Sequence, residues 1–312
     1  MKKFTRQVIL FLFPMVLLAY PLDLIVSNLL KKNGSFAHGE LSVWNALYDG
    51  TIDSEIVIYG SSRALVHIDP EIIETSTGRK AYNLGIDGHN FWLQHLRHTI
   101  LMKHNKKPKT IILSVDVRSF IKQKELYNSD QFLPYIFFNK EIKYYTESYK
   151  GFTVYDYHLP FIRYFGRFQA IKAALLKNSY LKRRNGYEGQ DKVWNDDFKK
   201  AKANANSIEI ELDKELLVLF DGFLLDCKRD DIRVVLVYTP EYIEGQKFMG
   251  KRNEIVSLID SFALKHNVVY LDYSKDDICL EKKYFYNASH LNKLGAEKFT
   301  KMLSKDLVLL GN

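Results

Sequence analysis

The chain has 312 residues, 46% of them hydrophobic, and carries a formal net charge of +8. This length accommodates one large domain or two small ones with a sizeable core. No run of Lys and Arg resembles a nucleic-acid-binding motif, so we expect no nucleic-acid partner. The charge indicates either a solvated basic surface or an anionic partner, such as a phospholipid head group or an acidic glycan.

The amino terminus predicts a membrane anchor. MKKFTRQ carries three positive charges, and the apolar run that follows at residues 8–30 is long enough to span a hydrocarbon core of about 30 Å as a helix. A cleaved signal peptide is the alternative, but no small-x-small cleavage site stands out. We therefore expect residues 1–30 to form a cytoplasmic tip and a single-pass signal-anchor. The carboxyl-terminal part then lies outside the cytoplasm, although Lys31 and Lys32 weaken this orientation.

Asp23 interrupts the apolar run. A carboxylate that faces lipid costs a few kcal/mol, so its surroundings matter. Asp23 either lies in water near the outer interface or contacts another membrane protein. Pro14 and Pro21 are expected to kink the helix.

After a linker at residues 31–53, with a short helix near 41–48, apolar strands alternate with helices. Continuously apolar strands of this kind are typical of a parallel sheet that is covered on both faces. Five β–α units in series predict an α/β fold over residues 54–312, a three-layer α/β/α arrangement around a five-stranded, doubly wound parallel sheet. The predicted strands are 55–60, 80–85, 109–116, 232–240 and 267–273, and the predicted helices are 68–78, 91–104, 208–227, 254–265 and 294–303.

An insertion follows the third strand at roughly residues 118–205. Residues 127–168 hold 15 Phe or Tyr among 42 positions, and a polar, mostly basic stretch follows at 182–202. The pattern predicts a helical cap with its own aromatic core. The alternative is a substrate-binding lid, in which the aromatic side chains stack on sugar rings.

Two cysteines, Cys227 and Cys279, lie far apart and show no CxxC spacing, which argues against a thiolate metal site. Cys227 lies on the apolar face of a predicted helix and is expected to be a buried thiol. A disulfide between the two remains open if the domain is exported. No metal constellation, dinucleotide fingerprint or Walker motif is visible, so we expect no metal and no cofactor.

Polar residues follow several of the predicted strands. GSSR (60–63) follows the first strand, NLGIDG (83–88) the second, SVDVR (114–118) the third, and NASH (287–290) comes after the fifth. Active sites of such folds collect at the carboxyl ends of the strands. A serine at the amino end of a helix suits a nucleophile that forms an oxyanion, and a histidine can be its base.

The order of these motifs resembles the SGNH (GDSL-type) hydrolase and acyltransferase superfamily over about residues 55–118 and 206–305. IVIYGSS is similar to the Gly-Asp-Ser block, and the resemblance places the nucleophile on Ser62. It places the oxyanion hole on the backbone of Ser62 and on Gly85. NASHLNKLGAEKF is similar to the last block, with His290 as the base and Asn287 where the acid belongs. In the third block, normally Gly-x-Asn, Ser114 stands at the position of the glycine and Asp116 at that of the asparagine.

The GSSR variant with an amino-terminal anchor is similar to extracytoplasmic SGNH proteins that O-acylate surface polymers alongside a membrane-bound acyltransferase. The resemblance implies an acyltransferase or esterase that handles acyl groups of cell-surface glycans, O-acetyl groups above all, through a serine acyl-enzyme. A glycan or other acyl acceptor and a membrane-bound acyltransferase are then the implied partners.

Asn287 and Asp116 depart from the family pattern. Asn287 can orient His290, but an amide cannot offset the charge of an imidazolium. The carboxylate of Asp116, if aimed at an oxyanion, would repel that oxyanion unless Arg63 or Arg118 neutralises the carboxylate. Asp116 could instead reach His290 in place of Asn287. Asp116, Arg63 and His89 are further candidates to line the site.

Three hypotheses remain. The first is a slow or specialised Ser62–His290 acyltransferase or esterase. The second is a non-catalytic SGNH-fold protein that binds a glycan or a membrane acyltransferase partner. The third is an accidental arrangement in an unrelated α/β fold.

Overall fold

The computed structural model describes residues 2–176, 183–204 and 211–311. The chain divides into two compact units. Unit 1 comprises residues 1–45 and 123–182, and unit 2 comprises residues 46–122 and 183–312. The amino-terminal segment and most of the insertion, which we predicted as separate parts, therefore belong to the same unit.

The bounds of the elements follow in chain order. The strands are β1 (Ile56–Tyr59), β2 (Ala81–Asn83), β3 (Thr110–Ser114), β4 (Arg233–Tyr238), β5 (Val269–Asp272), β6 (Phe285–Asn287) and β7 (His290–Leu291). The α-helices are α1 (Lys2–Lys31), α2 (Glu40–Tyr48), α3 (Ser62–His67), α4 (Pro70–Thr77), α5 (Phe91–His104), α6 (Lys140–Thr146), α7 (Val154–His158), α8 (Phe168–Leu175), α9 (Asp197–Asn204), α10 (Lys214–Arg229), α11 (Ile243–Phe248), α12 (Arg252–His266) and α13 (Lys293–Gly311). Short 3-10 helices cover Phe36–Gly39, Ser129–Phe132, Ile162–Tyr164, Asp277–Leu280 and Lys282–Tyr284.

Unit 2 contains the predicted sheet. Its strands are all parallel and lie in the order β2-β1-β3-β4-β5. Ile56 of β1 is level with Ala81 of β2 and Thr110 of β3, so the carboxyl ends of these strands meet at one edge. The predicted fold class and the five strands are confirmed. The predicted start of helix 208–227 lies outside the described residues, and the described part of that helix is α10.

Helices cover both faces of the sheet. On one face α4 and α3 pack against α13, around a core that includes Ile58, Ile112 and Phe299. On the other face α5 and α12 pack against α10, where the rings of Phe91 and Phe220 meet at 5.0 Å. Burial of each such side chain contributes about 1.5–3 kcal/mol, so the two cores hold the three layers together.

A two-stranded antiparallel hairpin, which the sequence did not predict, stands apart from the main sheet. β6 pairs with β7, and Asn287 lies directly opposite His290 across a turn formed by Ala288 and Ser289. The FYNASHLN segment is therefore a tight hairpin that brings its asparagine and its histidine side by side.

Unit 1 is held together by a buried ion pair. Asp23 of α1 and Arg163 of the insertion are almost completely buried, and the guanidinium donates to both carboxylate oxygens at 2.5 and 2.7 Å. The backbone N–H of Phe161 donates to the same carboxylate at 2.6 Å. The expectation that Asp23 lies in water was wrong, because its partner is an arginine 140 residues further along the same chain.

α1 runs from Lys2 to Lys31 and includes Pro14 and Pro21. Over the described residues, no helix combines the length and the apolar composition needed to cross a membrane. The signal-anchor at residues 8–30 stays a prediction.

Both cysteines are buried and free, so the disulfide that the sequence left open is not formed. Burial raises the pKa of the Cys227 thiol to about 12 and that of Cys279 to about 11. Both thiols are therefore protonated and unreactive at neutral pH.

Candidate active site

The turn after β1 presents Ser62 at the start of α3. Gly60 joins the strand to the turn with a φ of +149°, and a Cβ there would lie 2.6 Å from the Cβ of Ala64. Only glycine fits this position, because it needs both an unusual φ and close contact. Ser61 caps α3, and its Oγ accepts a hydrogen bond from the Arg63 N–H at 3.3 Å. Ser62 is thus the first helical residue, and its N–H has no acceptor within the helix.

Ser62, His290 and Asn287 form a hydrogen-bonded chain. Ser62 Oγ lies 2.8 Å from His290 Nε2, and His290 Nδ1 lies 3.0 Å from Asn287 Oδ1. Asn287 Oδ1 also accepts the backbone N–H groups of Ser289 and His290, at 3.0 and 2.9 Å. These two donors fix the oxygen of the amide toward the ring, so Nδ1 carries the proton and Nε2 is free to accept one from Ser62.

The surroundings of His290 favour its neutral form. Burial lowers the pKa of His290 to about 3, and the charges of three cations add to this effect: Arg63, Arg118 and Lys192. The ring of Tyr286 stacks on the imidazole at 5.3 Å with an angle of 8°. His290 is therefore neutral at physiological pH and can accept a proton. Among the described residues, its Nδ1 faces the amide oxygen of Asn287 and not a carboxylate that would stabilise the imidazolium form.

Asp116 supports the serine turn and not the histidine. Its Oδ2 accepts a hydrogen bond from Ser61 Oγ at 2.9 Å, and its Oδ1 accepts the Arg118 N–H at 2.7 Å. The alternative in which Asp116 replaces Asn287 as the partner of His290 was wrong. The carboxylate does not aim at an oxyanion either, because Ser61, in the turn just before Ser62, binds it.

Arg63 lies beneath the site. Its Nη1 donates to Glu241 Oε1 at 2.6 Å, its Nε donates to Thr239 Oγ1 at 3.0 Å, and its Nη2 donates to the Thr239 carbonyl. The guanidinium and the Glu241 carboxylate are both buried. Arg63 thus forms an ion pair with Glu241. Its main partner is not Asp116, whose charge it was a candidate to neutralise.

His67 links the hairpin to this network. Its Nε2 accepts the backbone N–H of Leu291 at 3.0 Å, so its Nδ1 carries the proton and donates to Thr239 Oγ1 at 2.9 Å. Burial, the charge of Arg63 and the proximity of His290 lower the pKa of His67, which stays neutral. Sequence reasoning missed His67, Thr239 and Glu241. Thr239 and Glu241 follow β4 directly. The rule that polar residues after a strand form the site, which identified Ser62, could therefore have identified them as well.

Gly85 differs from the prediction. Its N–H already donates to Asn83 Oδ1 at 2.8 Å, so it has no proton left for an oxyanion. A Cβ at this position would lie 2.5 Å from the backbone nitrogen of Leu65. The glycine is thus explained by the close approach of this turn to α3, and the backbone N–H of Ser62 remains the predicted oxyanion donor.

His89 lies buried in the turn before α5, and its carbonyl oxygen accepts a hydrogen bond from Gln94 Nε2 at 3.2 Å. Its predicted place in the lining of the site stays a prediction. Ser114, at the end of β3, is also buried, and its Oγ has no hydrogen-bond partner among the described residues.

Comparisons with known proteins give distant structural likenesses. No protein-family model matches the chain, and no curated protein is similar to it. The chain is similar to a candidate platelet activating factor from Streptococcus pneumonia (TM-score 0.45, 14% identity, 86% of this chain and 90% of that one). It is also similar to a candidate lipolytic protein of the G-D-S-L family from Desulfitobacterium hafniense DCB-2 (TM-score 0.39, 11% identity, 80% and 98%). A GDSL-like lipase from Bacteroides thetaiotaomicron gives a TM-score of 0.35 at 12% identity, over 81% and 88%. Because these values are low, the chemistry of the site rests on this chain's own residues.

Proposed function

We propose that this protein is a serine ester hydrolase or O-acyltransferase of the SGNH type, with Ser62 as nucleophile and His290 as general base. The observation that carries the proposal is the 2.8 Å contact between Ser62 Oγ and His290 Nε2, with the tautomer of the histidine fixed by Asn287. A nucleophile within hydrogen-bond reach of an oriented base is the arrangement that covalent acyl transfer requires.

The reaction proceeds through an acyl-enzyme. His290 Nε2 takes the Ser62 hydroxyl proton while Oγ bonds to the carbonyl carbon of the ester, and the Ser62 N–H donates to the resulting oxyanion. The tetrahedral intermediate then breaks its bond to the alcohol oxygen, which leaves with the proton from His290. Water or a second hydroxyl gives its proton to His290 and attacks the acyl carbon, and Ser62 recovers its proton as the product leaves.

The substrate class rests on the sequence motifs. We propose O-acyl, in particular O-acetyl, groups of cell-surface glycans, with the chain held at the membrane through residues 8–30 and the catalytic unit outside the cytoplasm. A membrane-bound acyltransferase is the proposed partner that supplies acyl groups. The test is a carboxyl-terminal fusion to a reporter that functions only in the cytoplasm. Activity of this reporter would refute the proposed topology.

A second candidate function is a non-catalytic binding protein. Asn287 in place of an acid and the engaged N–H of Gly85 favour it, because both remove stabilisation that a fast serine enzyme uses. The binding site would then recognise a glycan or a membrane acyltransferase.

A serine-reactive fluorophosphonate probe distinguishes the two candidates. Wild-type protein and Ser61→Ala should be labelled, although Ser61→Ala should react more slowly because it loses the cap and the contact with Asp116. Ser62→Ala should not be labelled. No labelling of the wild type would favour the binding protein, and labelling that persists in Ser62→Ala but is lost in Ser61→Ala would reverse the assignment.

A further inference from the structure

Positive charge is concentrated in unit 1. Its two segments contain 14 Lys and Arg against 7 Asp and Glu, whereas unit 2 contains 31 against 30. Unit 1 therefore carries +7 of the net charge of +8. The net charge is therefore not spread evenly over the protein, and an anionic partner is best sought at unit 1.

The same unit exposes aromatic side chains in a tight turn. Phe165 and Phe168 are 86% and 78% exposed, and they flank Gly166 and Arg167 between the 3-10 helix Ile162–Tyr164 and α8. The turn is held in place because Arg167 Nη1 donates to Asp130 Oδ1 at 2.5 Å. Two phenylalanine rings exposed on one fixed turn leave apolar surface in water, as interaction sites do.

The helix that begins at Phe168 packs against α1, which also exposes apolar side chains. Asn33 Nδ2, just after α1, donates to the Ala173 carbonyl of α8 at 2.8 Å. α1 itself exposes apolar side chains along its length, such as Leu17, Leu18, Leu22 and Ile25. Ile162 and Leu175, on either side of the phenylalanine turn, are exposed as well. Helix and turn thus present apolar groups within one unit that also carries the cationic excess.

We propose that unit 1 rests on an anionic lipid bilayer, with Phe165 and Phe168 inserted below the head groups as a second membrane contact besides α1. Apolar and aromatic side chains enter the boundary between head groups and acyl chains, and Lys and Arg beside them attract anionic head groups. A protein partner for the same surface would not by itself require the cationic excess. The inference does not depend on Ser62 being catalytic.

Depth-dependent fluorescence quenching tests the proposal on the full chain. Phe165→Trp is reconstituted in vesicles of phosphatidylcholine and phosphatidylglycerol whose acyl chains are brominated near the head group. The matched control is Tyr144→Trp, which keeps the charge of unit 1 and lies at a position of the same unit whose side chain is 60% exposed. Both variants keep the native tryptophans, whose quenching in the parent chain is subtracted. We expect several-fold larger quenching for Phe165→Trp, together with a blue shift of its emission.

Equal quenching of the two variants would overturn the proposal and indicate that the turn faces water or another protein. Omission of phosphatidylglycerol should weaken the quenching of Phe165→Trp, and unchanged quenching would refute the anionic component. Position 165 is on the surface, so the variant should keep the circular dichroism spectrum of the parent.

Discussion

Arg163 in unit 1 and His290 in unit 2 meet opposite electrostatic surroundings. Arg163 is buried against the carboxylate of Asp23, which accepts two hydrogen bonds from the guanidinium. His290 faces the amide oxygen of Asn287 instead, and the positive charges of Arg63, Arg118 and Lys192 further lower its pKa. The interior of this protein thus holds a full positive charge where a carboxylate faces it, and keeps a base neutral where only an amide does.

The difference bears on catalysis, because a general base must become charged during the reaction. Desolvation disfavours the imidazolium, and only an opposite charge nearby restores it. The site therefore has the geometry of a serine enzyme without the electrostatics that make such an enzyme fast. Reciprocal exchanges of acid and amide in the two regions test this explanation.

Asn287→Asp gives His290 a carboxylate partner, as Asp23 is for Arg163. Of the substitutions in this comparison, it should cause the largest change. Replacement of the acid of a serine triad by its amide lowers the rate about 10⁴-fold. We therefore expect the reverse change to raise the rate of acyl-enzyme formation by about a hundredfold or more. The carboxylate should also raise the pKa of His290 from about 3. Since the neutral base is the active form, the acid limb of the rate profile should move to higher pH. Hydrolysis of an aryl acetate as a function of pH measures both changes.

His290→Ala is the control for this experiment and should abolish the rate in the wild-type and Asn287→Asp backgrounds alike. If Asn287→Asp leaves both the rate and the acid limb unchanged, the amide is not what limits the site. If His290→Ala also leaves the rate unchanged, the catalytic hypothesis fails.

Asp23→Asn performs the opposite exchange in unit 1. It leaves the buried Arg163 charge without a partner, and loss of one member of a buried pair costs about 3–5 kcal/mol in the free energy of unfolding. Urea unfolding of the full chain measures the loss. Asp130→Asn is the matched control, because its ion pair with Arg167 is partly exposed and should cost less than about 1 kcal/mol. Equal losses in the two variants would contradict a special role for the buried pair.

The sequence predicted the sheet and the edge at which the site lies. Short, continuously apolar runs placed all five strands of the sheet, two of them ended by glycine and one by proline. The strand-end rule placed Ser62 at the edge of the sheet, where His290 also lies. These features are local, because each depends on a few neighbouring residues and on the fixed direction of parallel strands.

Features that depend on long-range contacts were missed. The bond between Asp23 and Arg163 joins residues 140 positions apart, and nothing in either segment marks the other as its partner. The engagement of the Gly85 N–H depends on the rotamer of Asn83, which the pattern NLGIDG does not specify. Asn287 was found as a neighbour of His290 only through the family resemblance, whereas the hairpin explains why the two side chains meet.

The histidines that lack a stabilising carboxylate should also limit stability in acid. Burial lowers the pKa of His290 and of His98 to about 3, below the unfolded value of about 6.5. As the pH falls from about 6.5 to about 3, the unfolded chain therefore binds protons that the folded chain does not. Each such histidine then removes about 1.4 kcal/mol of stability per pH unit over this window.

Asn287→Asp should reduce this loss of stability in acid, because it raises the pKa of His290 in the folded chain toward the unfolded value. The pH range over which the folded and unfolded chains bind different numbers of protons then becomes narrower. Urea unfolding of wild type and variant at pH 7 and pH 5 measures the change. His98→Gln is the comparison, since it removes one titrating group far from the hairpin while an amide can still bond to the Tyr59 hydroxyl, which now lies 3.2 Å from His98 Nδ1. Both variants should lose less stability than wild type between the two pH values. An unchanged acid loss in Asn287→Asp, with a reduced loss in His98→Gln, would show that the new carboxylate does not pair with His290.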